Sequence, residues 1–211
     1  MKRITITLCA AALLFACNDE KSGEAKVASA NTTDSTAPRS MPDSATMMKN
    51  WEAYMTPGQP HQMMARWNGT WTGEVTMWMA PGAPPSKSTS TSTNKMALGG
   101  RYQISEHKGN FNGMPFEGMS IVAYDNAKKV FISNWIDNMG TGMMVLEGPW
   151  NESTKTMELK GKMVDPGTGE SLDVRETFRE IDANTQIMEM FCNGPDGKEY
   201  KTMEIKYTRK K

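Results

Sequence analysis

The chain has 211 residues, 38% of them hydrophobic and 23% charged, the size and balance of one ordinary folded domain. Lys plus Arg and Asp plus Glu both total 24, so the net charge is zero. That balance argues against nucleic acid as a partner and against electrostatic attachment to an anionic membrane.

Lys2 and Arg3 precede an apolar run from Ile4 to Phe15. The run is shorter than the roughly 20 residues of a spanning helix and has the layout of a secretory signal over residues 1–16. It ends in Leu14-Phe15-Ala16-Cys17, which resembles the lipobox of bacterial lipoproteins. The resemblance implies that Cys17 is lipidated and becomes the first mature residue, a membrane anchor rather than a thiol. Each buried methylene adds about 0.8 kcal/mol, so two or more acyl chains hold a protein stably. Loss of Lys2 and Arg3 with the signal leaves 22 basic against 24 acidic residues, a charge of −2. Residues 17–42 are the lipidated cysteine and a tether rich in Ser, Thr, Ala, Asp, Glu and Lys, with no aromatic residue to drive burial. As a flexible coil the tether reaches about 30 Å. The acidic pair Asp19-Glu20 resembles sorting signals that send some lipoproteins to the outer membrane or cell surface. With Cys9 removed and Cys17 lipidated, Cys192 has no disulfide partner and reads as a small buried hydrophobe.

Residues 43–66 read as a helical cap. Asp43 or Ser44 caps a helix carrying Met47, Met48, Trp51 and Met55 at helical spacing, and Pro57, Gly58 and Pro60 stop it. A second short turn, His61 to Arg66, leads into Trp67.

Helical periodicity then gives way to strands of about ten residues each, separated by turn residues, over 67–211. Trp71 to Met79 ends at Pro81-Gly82, Ser86 to Leu98 ends at Gly99-Gly100, and Tyr102 to His107 alternates. Met119 to Ala123 runs to Asp125-Asn126, Val130 to Ile136 runs to Asn138-Met139-Gly140, and Met157 to Met163 runs to Asp165-Pro166-Gly167. Leu172 to Phe178, Ile187 to Phe191 and Met203 to Tyr207 follow. With the run around Met143 to Gly148 this makes about ten antiparallel strands in up-and-down order, each with one apolar and one polar face. A sheet of that size closes to remove its edges, which predicts an all-β barrel of lipocalin or fatty-acid-binding-protein type behind a short N-terminal helix.

Trp67 to Met79, "WNGTWTGEVTMWM", holds three of the six tryptophans. Its Gly69-Thr70-Trp71 resembles the Gly-x-Trp that opens the first strand of lipocalins, where the indole plugs the closed end. Trp67 and Trp71 are therefore expected in the core and Trp78, of opposite parity, on the outer face or rim. From about Trp51 to Arg209, the stretches "TPGQPH", "GTWTGEVTMWMAPGAPP", "LGGRY", "GMPFEGMSIVAYDN", "WIDNMGTG", "GPDGKEY" and "MEIKYTR" resemble the family called domain of unknown function 1579. The resemblance implies a secreted or lipid-anchored bacterial barrel and brings no catalytic residues with it. Similar barrels of the nitrobindin family hold haem through a histidine late in the chain, and here no histidine follows His107.

The residues themselves offer little chemistry. His61 and His107 are the two histidines, no cysteine pair exists, and neither a nucleophile elbow nor a phosphate-cradling loop is visible, so no cofactor or metal is expected. The twenty methionines read as core filling in a leucine-poor chain, with Met139, Met143 and Met144 as the alternative thioether cluster for a soft metal. Glu176 between Val174 and Phe178, and Glu189 between Ile187 and Phe191, sit on apolar strand faces and are expected to point inward. Arg175 or Arg209 can reach such a carboxylate, or hold that of a ligand. Two readings stay open, interior salt bridges and a ligand site formed by Trp71, Tyr102, Trp135, Arg175, Glu176, Glu189 and Arg209. The expected function is non-enzymatic binding or carriage of a small apolar or amphipathic ligand by a lipid-anchored envelope protein. The alternative is an interaction module with a filled barrel, and behind it an enzyme, which requires a polar constellation inside the barrel.

Overall fold

The computed structural model describes residues 40–211; the stretch read from the sequence as signal, lipidated Cys17 and tether lies, up to residue 39, outside the described residues. Helix α1 (Ser44–Met55) starts at Asp43, whose carboxylate accepts from the Thr46 amide at 2.9 Å and the Thr46 hydroxyl at 2.8 Å. The Thr56 hydroxyl closes the other end by donating to the Glu52 carbonyl. Helix α2 (Gln59–Arg66) carries Pro60 in its first turn, and His61 Nδ1 accepts from the Gly58 amide at 3.0 Å.

The two helices divide the capping role unevenly. In α2, His61, Met63 and Met64 are buried. In α1, Met48 is 74% and Trp51 63% exposed, contrary to the core position that their helical spacing suggests. Only the end of α1 is fastened to the barrel rim: Asn126 Nδ2 donates to the Ala53 and Thr56 carbonyls and Arg101 to that of Met55.

The strands are β1 (Gly69–Met77), β2 (Ser86–Ala97), β3 (Tyr102–Phe111), β4 (Met114–Asp125), β5 (Val130–Asp137), β6 (Met144–Gly148), β7 (Trp150–Asn151), β8 (Thr156–Val164), β9 (Ser171–Asp182), β10 (Thr185–Asn193) and β11 (Glu199–Arg209). Every pairing is antiparallel, in the order β6-β5-β4-β3-β2-β1-β11-β10-β9-β8-β7, and a β6–β8 pairing closes the ring. With the two-residue β7 set aside, ten of the eleven strands form the closed barrel.

Turn chemistry sets the connections. Asn112 and Gly113 hold φ at 50° and 87° between β3 and β4, as a two-residue hairpin requires. After β4, Asp125 Oδ1 accepts from the Ala127 and Lys128 amides. Register decides which face is inside, and on two strands it overrides hydrophobicity. Inward on β4 and β5 are Ser120, Val122, Phe131, Ser133 and Trp135, while Met119, Ile121 and Ile136 stay outside, 37–41% exposed.

The main core packs α2 and Trp67 against Phe131, Leu146, Met157, Leu159, Val174 and Cys192. It fills the α2 end and the β5–β10 side. A smaller cluster of Trp71, Ile205 and Tyr207 lies where β1 meets β11. Cys192 is buried as expected, and burial pushes its thiol pKa up.

Candidate functional site

The closed end is built first. Gly69, with φ at 114°, turns the chain from α2 into β1 so that Trp71 enters the barrel, where it is fully buried. The Trp71 indole N–H donates to the Trp67 carbonyl at 3.0 Å, and Asn94 Nδ2 donates to the same oxygen at 3.0 Å. The Arg209 guanidinium lies 4.1 Å from the centre of the Trp71 ring. It donates to the carbonyls of Arg66 at 2.7 Å, Ala183 at 3.0 Å and Asn68. Gln103 Nε2 donates to the Met64 carbonyl at 2.6 Å, and the Trp67 indole N–H to Glu180 at 2.9 Å. Trp67 and Trp71 are the plug that the Gly-x-Trp resemblance implies. Arg209, whose donors all meet backbone carbonyls, belongs to the same floor.

Above the floor the register carries inward Ser90 and Ser92 from β2, His107 from β3, Phe116 and Gly118 from β4, and Trp135 from β5. The opposite wall contributes Leu159 from β8, Glu176 from β9, Met188 and Met190 from β10, and Met203, Ile205 and Tyr207 from β11. His107, Trp135, Glu176, Met190 and Met203 are only half-buried although the wall encloses them, so their free surface faces a lumen. Where Met77, Ser86, Ser88 and Phe111 meet the rim there is a cleft of about 380 Å³.

Two glycines shape this lumen by the room they leave. A Cβ on Gly118 would lie 2.5 Å from the Trp135 indole, so Trp135 reclines over that position. It meets His107 edge-on at 5.0 Å and Phe116 stacked at 6.3 Å, and its N–H donates to Asp137 at 2.7 Å. A Cβ on Gly73 would lie 2.5 Å from Ser90 Oγ and 3.2 Å from the Tyr207 ring.

Ser90, Glu176, His107 and Tyr207 face the lumen with no hydrogen-bond partner among the described residues. Ser90 Oγ is buried and unpaired among the described residues. Glu176 sits in register between Leu159 and Met190, and burial alone raises its carboxyl from 4.5 to about 7. Burial alone lowers His107 from 6.5 to about 4, which keeps the imidazole neutral at neutral pH. Burial, and secondarily the Glu176 charge, pushes the Tyr207 hydroxyl up.

Of the seven residues read as a ligand set, Trp135 and Glu176 share the lumen, and Trp71 and Arg209 form its floor. Tyr102 lies on the outer wall, 37% exposed. Arg175 is also outside, bonded to Glu199 at 2.6 Å and 3.9 Å from the Phe191 ring centre. The inward reading of Glu189 is corrected: it faces out, accepting from Lys201 at 2.6 Å, with the Lys201 hydrogen bond as the main cause of its lowered pKa. The sequence misleads there because β10 is apolar on both faces, Ile187 and Phe191 outside and Met188, Met190 and Cys192 inside. Trp78 lies on the outer side, 5.7 Å from Lys201 Nζ.

Ser90, His107 and Tyr207 escape the sequence reading as lumen groups for separate reasons. The Ser-Thr run of β2 is polar on both faces, His107 reads only as a lone histidine, and Tyr207 reads only as an alternating strand position. No group of three His, Cys, Asp or Glu residues is gathered among the described residues. Met139 and Met143 are exposed, whereas Met144 pairs with Trp135 on the inward face.

No curated protein matches the chain. Among solved structures it is similar to the crystal structure of Rv2717c from M. tuberculosis, with TM-score 0.56 and 12% identity over 74% of this chain and 100% of that one. It is also similar to the S-type phycobiliprotein lyase CPES from Guillardia theta, with TM-score 0.52 and 12% identity over 77% of this chain and 97% of that one. At such identity the likeness extends to the barrel fold alone. The model of one family matches from Thr56, just after α1, to Arg209 on the floor, residues 56–209, and the chain belongs to that family, the protein of unknown function DUF1579.

Proposed function

We propose that this protein binds a small amphipathic molecule in its barrel lumen, without covalent chemistry, as a lipid-anchored carrier or sensor of the bacterial envelope. The observation that carries the reading is the lumen wall itself. Met188, Met190, Met203, Phe116 and Trp135 offer a soft apolar surface, and Ser90, His107, Glu176 and Tyr207 add polar groups with no hydrogen-bond partner among the described residues. Ser90 Oγ, buried and unpaired, is costly as it stands, and a ligand that meets it removes that cost while half-buried His107 and Glu176 offer their free surface to the same lumen. None of the four is hydrogen-bonded to another, whereas nucleophilic catalysis rests on a nucleophile touching its base. Anchoring at Cys17 and an outer-membrane position rest on the lipobox-like sequence and the Asp19-Glu20 pair. The similarity to a phycobiliprotein lyase supports a barrel of this kind, while the ligand reading rests on this chain's own residues.

Native mass spectrometry of the chain purified from its own cells tests the reading. The expected result is an added small-molecule mass that disappears on denaturation. A clean apo mass, together with no uptake of an apolar fluorescent probe, overturns it.

A further inference from the structure

The fatty-acid analogy suggested by the fold fails on charge. Lys87, Lys95, Lys108, Lys160, Lys162, Lys201 and Lys206 all fall on outward register positions, and so do Arg175 and Arg179. The inward Arg209 is tied to three backbone carbonyls of the floor. His107 carries no charge at neutral pH. Among the described residues the lumen therefore offers no free cation to a ligand carboxylate, and an unpaired anion enclosed there is costly.

The inward acids differ in what they already hold. Glu180 accepts from the Trp67 indole, and Asp137 accepts from the Trp135 indole and the Met139 amide. Glu176 accepts from nothing among the described residues. It stands on the apolar wall, flanked in register by Leu159 and Met190. The other groups around it are Tyr207 on β11, whose hydroxyl stays protonated, and Val174 and Phe178 on its own strand.

Building on the lumen-binding reading, we propose that the ligand class is an amphipathic amine, its ammonium received by the Glu176 carboxylate and its apolar body lying along the methionines and the Trp135–Phe116 pair. An ammonium supplies the donor and the opposite charge that this carboxylate lacks, and a charge-assisted hydrogen bond is about twice as strong as a neutral one. Above neutral pH the carboxyl is ionised and ready for this partner.

Isothermal titration calorimetry of the full chain at pH 8 with decylamine, decanoate and decanol separates the possibilities. Decylamine is expected to bind at least about ten-fold tighter than decanoate or decanol. Glu176→Gln is expected to erase that preference, with an unchanged far-UV circular dichroism spectrum reporting that the variant is folded. Lowering the wild type to pH 5, where Glu176 is protonated, is expected to weaken decylamine in the same way without any substitution. Equal or tighter binding of decanoate or decanol overturns the amine inference and leaves the lumen-binding reading standing. A preference for decylamine that survives Glu176→Gln overturns the role of Glu176. Failure of all three probes to bind overturns both readings.

Discussion

Glu176 and His107 share one lumen, and the same cause, burial, moves their proton affinities in opposite directions. The folded chain keeps the Glu176 proton up to about pH 7, whereas an unfolded chain releases it near 4.5, so this group makes stability fall as pH rises between those values. The folded chain loses the His107 proton near 4 and the unfolded chain near 6.5, so this group makes stability rise with pH over that window. Between about pH 5 and 6.5 the two slopes, each at most about 1.4 kcal/mol per pH unit, oppose one another. His61, whose pKa burial also lowers, adds to the His107 side, so denaturant midpoints of the wild type should rise only gently there. Glu176→Gln should show midpoints that rise more steeply with pH than the wild type's, and His107→Phe midpoints that rise less steeply or fall. Parallel slopes in the two variants contradict this account. At this scale the sequence is readable where parity is backed by chemistry. Glu176 on an apolar face is legible as an inward acid, and Trp71 after Gly69-Thr70 as a plug. Ser90 is not, because its place in the lumen depends on the cross-strand register with Gly73 and Gly109, which no single strand encodes.

Among the elements, the weakest junction of the ring is the β6–β8 seam, held by three residue pairs, Val145–Lys162, Leu146–Gly161 and Glu147–Lys160. Glycines make it possible by space rather than by backbone angle. A Cβ on Gly148 would lie 1.9 Å from the Glu158 carbonyl oxygen, and one on Gly161 2.2 Å from that of Val145. Gly148→Ala or Gly161→Ala is expected to cost about 1–3 kcal/mol in urea denaturation and to raise amide exchange first in β6 and β8. The helices give a contrast of the same kind. Met64→Ala in α2, a fully buried position, should cost about 2–5 kcal/mol. Trp51→Ala in α1, 63% exposed, should change stability by no more than about 0.5 kcal/mol. Spacing alone cannot tell these helices apart, since both place methionines at helical intervals. What separates them is whether the barrel end has room, and α2, which precedes Trp67 directly, takes it. The strands were more legible because Asp125-Asn126, Asp165-Pro166-Gly167 and Gly194-Pro195-Asp196-Gly197 punctuate them. The β6–β7 break at Pro149 was not, because it interrupts one wall of the ring without a reversal of direction.

At the scale of the whole molecule, closure joins the first strand to the last: β1 pairs with β11 from Trp71–Arg209 to Met77–Met203, and β11 also pairs with β10. A chain ending at residue 198 therefore leaves β1 and β10 as open edges and takes Tyr207 from the lumen wall and Arg209 from the floor. It is expected to aggregate when refolded, and a monomeric species of native far-UV spectrum would contradict the closure argument. The up-and-down order was legible from the short connections, and the need to close followed from strand number. The charge of the lumen was legible only in part: Glu176 stands out on an apolar face, whereas the outward turn of the strand lysines depends on register. The pairing of β1 with β11 also sets a timetable. Contacts separated by most of the domain are slow to form, and here they wait until the last strand has been synthesised. If residues 1–16 direct export before synthesis ends, no finished barrel has to unfold at the membrane, and the ring closes only on the far side.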